Sequence, residues 1–201
     1  MIAGLSKRIL RFLTVSQVIG TKDEEQQYYQ YGIEITISSG INIALILFLG
    51  ALSGAFFESV VFLMTFIPIR QVTGGYHAHT YLKCNVIFGI VFMLVIICYR
   101  FINVFELYSI ITPFHQMVFS VLCSLIFIGI CPVENINKPI HPEKLKYYKN
   151  MAALLGLCCG ITAALLTALK YKIGNMVLLT LLSVNILAVV AVIQKKGGIE
   201  K

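Results

Sequence analysis

The sequence predicts an all-α, polytopic membrane protein with about six transmembrane helices, the second one short or re-entrant, and an N-terminal amphipathic helix at the membrane interface. Three observations carry that prediction. First, 58% of the 201 residues are hydrophobic and only 12% are charged, where a soluble domain carries about 25% charged residues. The mean hydropathy of +0.86 means more apolar surface than a water-soluble core of this size can hide. Second, apolar runs close to the roughly 20 residues needed to cross a bilayer recur along the chain. Third, lysine and arginine gather between those runs.

The elements follow in order. Ile9, Leu10, Phe12, Leu13, Val15, Val18 and Ile19 are interleaved with Lys7, Arg8, Arg11 and polar residues. This pattern suits a helix lying on an anionic leaflet, and equally a helix with one solvated face. No long apolar stretch with a small-residue cleavage site follows the basic residues, so no cleavable signal peptide is expected. Ile35 to about Gly54 is the first spanning run. Phe56 to Ile69 is short, carries Glu58 and ends at Pro68-Ile69-Arg70, so it reads as a short span or a re-entrant hairpin. Cys84 to about Val104, Pro113 to Cys131, Met151 to Leu169 and Ile173 to Ile193 complete the set. The chain is expected to be one integral membrane domain: an N-terminal region over 1–34, a bundle over 35–193 and a tail over 194–201.

Charge sets the expected orientation, because cytoplasmic loops of membrane proteins are enriched in lysine and arginine. With six crossings and a cytoplasmic N-terminus, the inside segments hold Lys7, Arg8, Arg11 and Lys22, then Arg70 and Lys83, then Lys138, Lys144, Lys146 and Lys149, and finally Lys195, Lys196 and Lys201. Only Arg100, Lys170 and Lys172 of the 16 basic side chains remain outside. The net charge of +7 therefore reads as membrane-adjacent charge, and no nucleic-acid partner is expected.

The chemistry concentrates in the polar stretch between the second and third runs, Arg70-Gln71-Val72-Thr73-Gly74-Gly75-Tyr76-His77-Ala78-His79-Thr80-Tyr81-Leu82-Lys83-Cys84. Cys84 is one of six cysteines. The other five lie in or at the edge of apolar runs, where cysteine behaves as a small hydrophobe. On the cytoplasmic side a thiol stays reduced. A cysteine nucleophile attacks as thiolate, and a nearby imidazole both takes the proton and stabilises the resulting anion. His77 is the expected base, with His79 as the alternative. On one straight helix, His77 and Cys84 would be about 10.5 Å apart along the axis. The chain must therefore bend between them, and Gly74-Gly75 supplies a permissive backbone.

Arg70 and Lys83 are candidates to face a developing oxyanion or an acidic substrate group; anchoring of span ends explains them equally well. No cysteine spacing matches a zinc site, and histidines two apart cannot share one helix face, so neither a metal nor another cofactor is expected. Glu34, Glu58, Asn85, Glu134 and Asn137 lie near boundaries, but none stands out as a third catalytic member. Spacing alone also fits a structural cysteine.

The pattern R-x3-G-G-x-H-x6-C, formed by Arg70, Gly74, Gly75, His77 and Cys84, closely resembles that of the accessory gene regulator B (AgrB) family of bacterial membrane peptidases. Tyr31-Gly32 before the first run and the loop Cys131-Pro132-Val133-Glu134-Asn135-Ile136-Asn137-Lys138-Pro139-Ile140 are similar as well. The resemblance implies a cysteine endopeptidase in a bacterial cell membrane, with its termini and active site facing the cytoplasm. Its catalytic pair would be His77 and Cys84. The implied partner is a short pro-peptide with an amphipathic leader and an acidic C-terminal tail. The enzyme would remove that tail through a thioester on Cys84 and support closure to a thiolactone or lactone quorum-sensing signal. Gly74 and Gly75 join Arg70 and Lys83 as candidates around the substrate. Lys138, Lys144, Lys146 and Lys149 form a basic cluster suited to the acidic tail. A homodimer is left open. Two other functions compete: another membrane cysteine acyltransferase using the same pair, and a small transporter without catalysis. Against the transporter, no internal repeat is visible and charges sit at run ends.

Overall fold

The computed structural model describes residues 2–16, 23–74, 80–106, 111–133 and 142–196. Among them are seven helices: α1 (Ile2–Val15), α2 (Asp23–Leu52), α3 (Phe56–Thr73), α4 (Tyr81–Val104), α5 (Pro113–Ile130), α6 (Pro142–Ala168) and α7 (Gly174–Lys196). Six of them, α2 to α7, are long and apolar enough to cross a membrane. The protein is thus an all-helical, multi-pass membrane protein. Helices suit this setting because they satisfy their own backbone hydrogen bonds where no water is available.

Successive helices alternate in direction, which gives the bundle two ends. At one end, Val133 N–H donates to Thr73 O at 3.0 Å, joining the segment after α5 to the end of α3. Ser38 Oγ on α2 donates to Asn85 Oδ1 near the start of α4 at 3.1 Å. At the far end, the Arg100 guanidinium donates to the carbonyl of Ser53 in the α2–α3 turn. There the buried Gln116 Nε2 donates to Thr167 Oγ1 at 2.7 Å and to Asn175 Oδ1 at 3.0 Å, tying α5, α6 and α7 together. Gly156 and Gly160 of α6 lie against Ser124 and Ser120 of α5, where any side chain would collide. Small residues at a helix interface allow this close approach, the usual substitute for hydrophobic drive within a bilayer. Outward, Phe48, Met64, Ile90, Leu94, Leu122 and Leu165 are exposed, as lipid-facing positions should be.

Between α3 and α4 the contact is made by four phenylalanines. Phe62 and Phe66 stack at 5.1 Å, Phe62 meets Phe92 edge-on at 5.2 Å, and Phe66 lies 4.8 Å from Phe88. These bulky rings hold the two backbones apart and leave room above Phe66 and Phe88.

α1 is amphipathic as expected. Its Ser6 and Leu10 are buried, and Ser6 Oγ donates to Glu34 Oε1 on α2 at 3.0 Å. Leu5, Phe12 and Val15 stay exposed beside Lys7, Arg8 and Arg11, an arrangement that fits a helix at a lipid headgroup layer.

Three boundaries differ from the sequence expectation. The second run does not stop at Pro68-Ile69-Arg70 and is one continuous short helix rather than a hairpin. α3 continues through Pro68 to Thr73, joining the far-end turn to the near end, and its 18 residues rise about 27 Å. Proline removes one backbone donor but is tolerated where neighbouring helices support the chain. The apolar run from Ile35 is the continuation of a longer helix that already begins at Asp23. α6 begins at Pro142 rather than Met151, which places Lys144, Lys146 and Lys149 on a helix.

A thiol-lined cavity as the candidate active site

α4 is started by Thr80, whose backbone is extended and whose Oγ1 accepts from Lys83 N–H at 3.3 Å. This is ordinary N-capping by a hydroxyl side chain. Cys84 follows in the first turn, with its N–H bonded to Thr80 O at 3.1 Å. The thiol therefore sits where the helix dipole is positive. The helix begins after His77 in the chain, as a bend between His77 and Cys84 requires. His77, His79, Gly75 and Lys138 lie outside the described residues, as do Glu134 and Asn137.

Cys84 is half-buried and lines a cavity of about 350 Å³ between α2, α3, α4 and α7. Ser39, Arg70 and Gln71 share its outer level, while Asn42, Ile43, Phe66, Ile67, Ile87 and Phe88 lie about one turn deeper, with Leu187 closing the α7 side. The mouth is thus polar and cationic and the floor is apolar. Because α3 runs past Pro68, Arg70 falls on its last turn and points into the space that Cys84 borders. Arg70 Nη1 donates to Gly74 O at 2.5 Å, and its charge lies within electrostatic reach of both Cys84 and Cys131.

Gly74 ends α3 with φ 65° and ψ −141°, a conformation that is almost exclusively glycine's. It pairs in a single bridge with Val133. A Cβ on Gly74 would lie 2.5 Å from Val133 O. The residue is needed here to seat the 131–133 segment on the end of α3 and to aim its carbonyl at Arg70.

The structure brings Arg70, Gly74 and Cys84 to one end of the bundle. It does not bring Lys83 into the cavity; that side chain is exposed. Lys144 and Lys146 are also exposed, whereas Lys149 is half-buried and its charge acts on Cys131. Of the third-member candidates, Asn85 accepts from Ser38 and Glu34 accepts from Ser6 and Gln30, while Glu58 is on the far end with the start of α3. Sequence reasoning missed Ser39, Asn42, Gln71 and Cys131. The signal available was polar residues, Ser39 and Asn42, three apart inside an apolar run, since polar groups within a span commonly mark function.

All six cysteines are free. Cys131 is buried, and burial pushes its thiol up to about 12, against the opposing pull of Arg70 and Lys149. It therefore stays protonated and inert at neutral pH. A water-soluble maleimide applied to the protein in bilayers at neutral pH is expected to modify Cys84 and spare Cys131, as read by peptide mass mapping. Equal modification of both would contradict this difference in exposure and ionisation.

Fold and site together define a multi-pass membrane protein with a cysteine at the mouth of an intramembrane cavity, beside an arginine held by a glycine turn. The family model for accessory gene regulator B matches residues 6–192, and the chain belongs to that family. It is 28% identical over 175 residues to a putative AgrB-like protein of Clostridium perfringens (strain SM101), covering 85% of this chain and 79% of the relative. A second putative AgrB-like protein, from C. perfringens strain 13, is 27% identical over the same shares. Protein FsrB of Enterococcus faecalis is 25% identical over 153 residues, 76% of this chain and 60% of the relative. No solved structure matches the chain. The family places the protein in quorum-sensing signal processing.

Proposed function

We propose that the protein is a membrane cysteine endopeptidase that removes the acidic C-terminal tail of a short pro-peptide and supports closure of the retained segment to a cyclic signal. The observation that carries this reading is the position of Cys84, in the first turn of α4, open to a cavity whose mouth holds Arg70. His77 takes the Cys84 proton, with His79 as the alternative base. The sulfur attacks the carbonyl at the end of the signal segment, forming the C–S bond. The C–N bond then breaks, and the histidine returns the proton to the leaving amine of the tail. Arg70 is the cation proposed to face the developing oxyanion, with Gly74 and Gly75 as further candidates around the substrate. A cysteine or serine of the peptide attacks the thioester carbonyl, the ring closes, and the Cys84 sulfur leaves with its proton restored. The thioester keeps the carbonyl activated, so no acyl bond must be re-formed from a free acid. An apolar cavity floor supports exclusion of the water that would otherwise hydrolyse it.

The cytoplasm is the proposed side for this site and both termini. Lys7, Arg8, Arg11, Arg70, Lys83, Lys144, Lys146 and Lys149 belong to the Cys84 end, and Arg100, Lys170 and Lys172 to the other. That asymmetry follows the positive-inside rule. The decisive test is mass spectrometry of the protein incubated with a synthetic precursor peptide that carries an amphipathic leader and an acidic C-terminal tail. A thioester adduct of the signal segment and a released tail are expected, and a peptide left whole with no adduct would overturn the reading.

The Lys138, Lys144, Lys146 and Lys149 cluster is proposed to receive the acidic tail. Reversing the charge of Lys144, Lys146 and Lys149 together is expected to raise KM for the precursor about tenfold, since each exposed pair contributes little. The difference should shrink as salt rises. Unchanged processing would rule the cluster out.

A further inference from the structure

One side chain lining the cavity carries a polar atom with no hydrogen-bond partner. Asn42 of α2 lies one helical turn beyond Ser38, about 6 Å deeper into the bilayer. Ser38 is bonded to Asn85, the neighbour of Cys84. Asn42 therefore stands about one turn beneath the thiol, on the wall that also carries Ile43, and faces Phe66 and Phe88 across the cavity. Its Oδ1 is buried and has no hydrogen-bond partner. A buried acceptor left unmade costs free energy, and native structures keep few of them. Among the described residues, Asn42 is the one such group that lines the Cys84 cavity.

We infer that Asn42 is a substrate-positioning residue, whose Oδ1 accepts a hydrogen bond from a backbone N–H of the peptide segment retained on Cys84. This rests on the peptide-processing reading above. The direction of the peptide follows from solvation. Carboxylates of an acidic tail would lose their hydration on the apolar floor without gaining a partner there, whereas the mouth offers Arg70. The tail therefore points outward, and the acyl side enters the deep part. A cavity of about 350 Å³ is at the small end of ligand sites, so it takes a few side chains rather than the whole precursor. An amide N–H carried into it needs an acceptor, and the Asn42 amide, turned about its Cβ–Cγ bond toward the cavity it lines, presents its unpaired Oδ1. The bond would hold the acyl segment in one register through both cleavage and ring closure.

The test uses the full chain in lipid nanodiscs with Cys84→Ala, so that binding is read without chemistry. The probe is a fluorescein-labelled synthetic peptide with an amphipathic leader, a short apolar segment and an acidic tail. A set of analogues replaces one amide N–H of the apolar segment at a time by an ester oxygen. One analogue is expected to bind about tenfold more weakly than the parent, the value of a single hydrogen bond. Adding Asn42→Leu should weaken the parent peptide by a similar factor and erase the penalty of that one analogue. It should not lower the melting temperature, because it removes an acceptor that the free protein leaves unpaired. Ester penalties that are identical with and without Asn42→Leu would overturn the inference, as would a lowered melting temperature with unchanged binding. If the Cys84 protein cleaves the parent peptide while Asn42→Leu binds it normally, positioning by Asn42 is wrong and the peptidase reading stands. If the ester coupling is present but the Cys84 protein leaves the peptide whole, the positioning role holds and the peptidase reading fails.

Discussion

Cys84→Ala is expected to lower precursor processing by at least about 10⁴-fold and to abolish the thioester adduct, because it removes the atom that forms the covalent bond. Cys84→Ser should be nearly as inactive. A hydroxyl is far more weakly acidic than a thiol, and a site arranged to take a proton from sulfur does little to activate it. His77→Ala should abolish or cripple both cleavage and adduct formation. His79→Ala, assayed beside it, separates the two imidazoles: whichever loss matches that of Cys84→Ala marks the base. Normal processing by Cys84→Ala would end the mechanism outright. The buried, protonated Cys131 is no substitute, so residual activity cannot be assigned to it without contradicting its burial.

Gly74→Ala is expected to be the most damaging substitution away from the reacting atoms. Two independent costs act at this position. A side chain there must adopt φ 65° and ψ −141°, a strain of about 1–3 kcal/mol. The new methyl would also lie 2.5 Å from Val133 O, and forcing an extra carbon into a packed site costs about 1–3 kcal/mol. The neighbour is backbone, already committed through the Val133 N–H to Thr73 O bond at 3.0 Å, so it cannot yield without breaking that link. A combined loss of about 2–6 kcal/mol should appear as a lower melting temperature in nanodiscs. Processing should fall as well, since the Gly74 carbonyl no longer fixes Arg70. Wild-type stability in Gly74→Ala would show that the 131–133 segment does not depend on this contact.

The Gly-Gly pair illustrates what a sequence can and cannot disclose. Its position before His77 announced a permissive backbone, and Gly74 ends α3 with a positive φ of 65°. That Gly74 also seats a segment some sixty positions later is a matter of two backbones approaching in space, and no local pattern encodes it. Arg70 is similar. Its nearness to Cys84 in the chain suggested a shared site, but a proline two residues earlier argued that the helix had ended. Neighbouring helices support α3 through Pro68, and this alone sets Arg70 at the mouth of the cavity. Lys83, adjacent to Cys84 in sequence, is turned away because consecutive helical residues point about 100° apart.

By itself the sequence determined that this chain is a bundle of about six membrane-spanning helices and that its basic residues gather at one set of run ends, and it singled out Cys84 and His77 as the candidate reactive pair. Those properties are local: a bilayer demands long apolar runs, and reactivity resides in residue types. Only the tertiary structure decided that α3 runs unbroken through Pro68 to Thr73, that Cys131 is sealed away while Cys84 opens into a cavity, and that the Asn42 Oδ1 is left without a partner. Each of these depends on which helix faces fill the gaps between neighbours, and the size of the four phenylalanines between α3 and α4 settles where a gap remains.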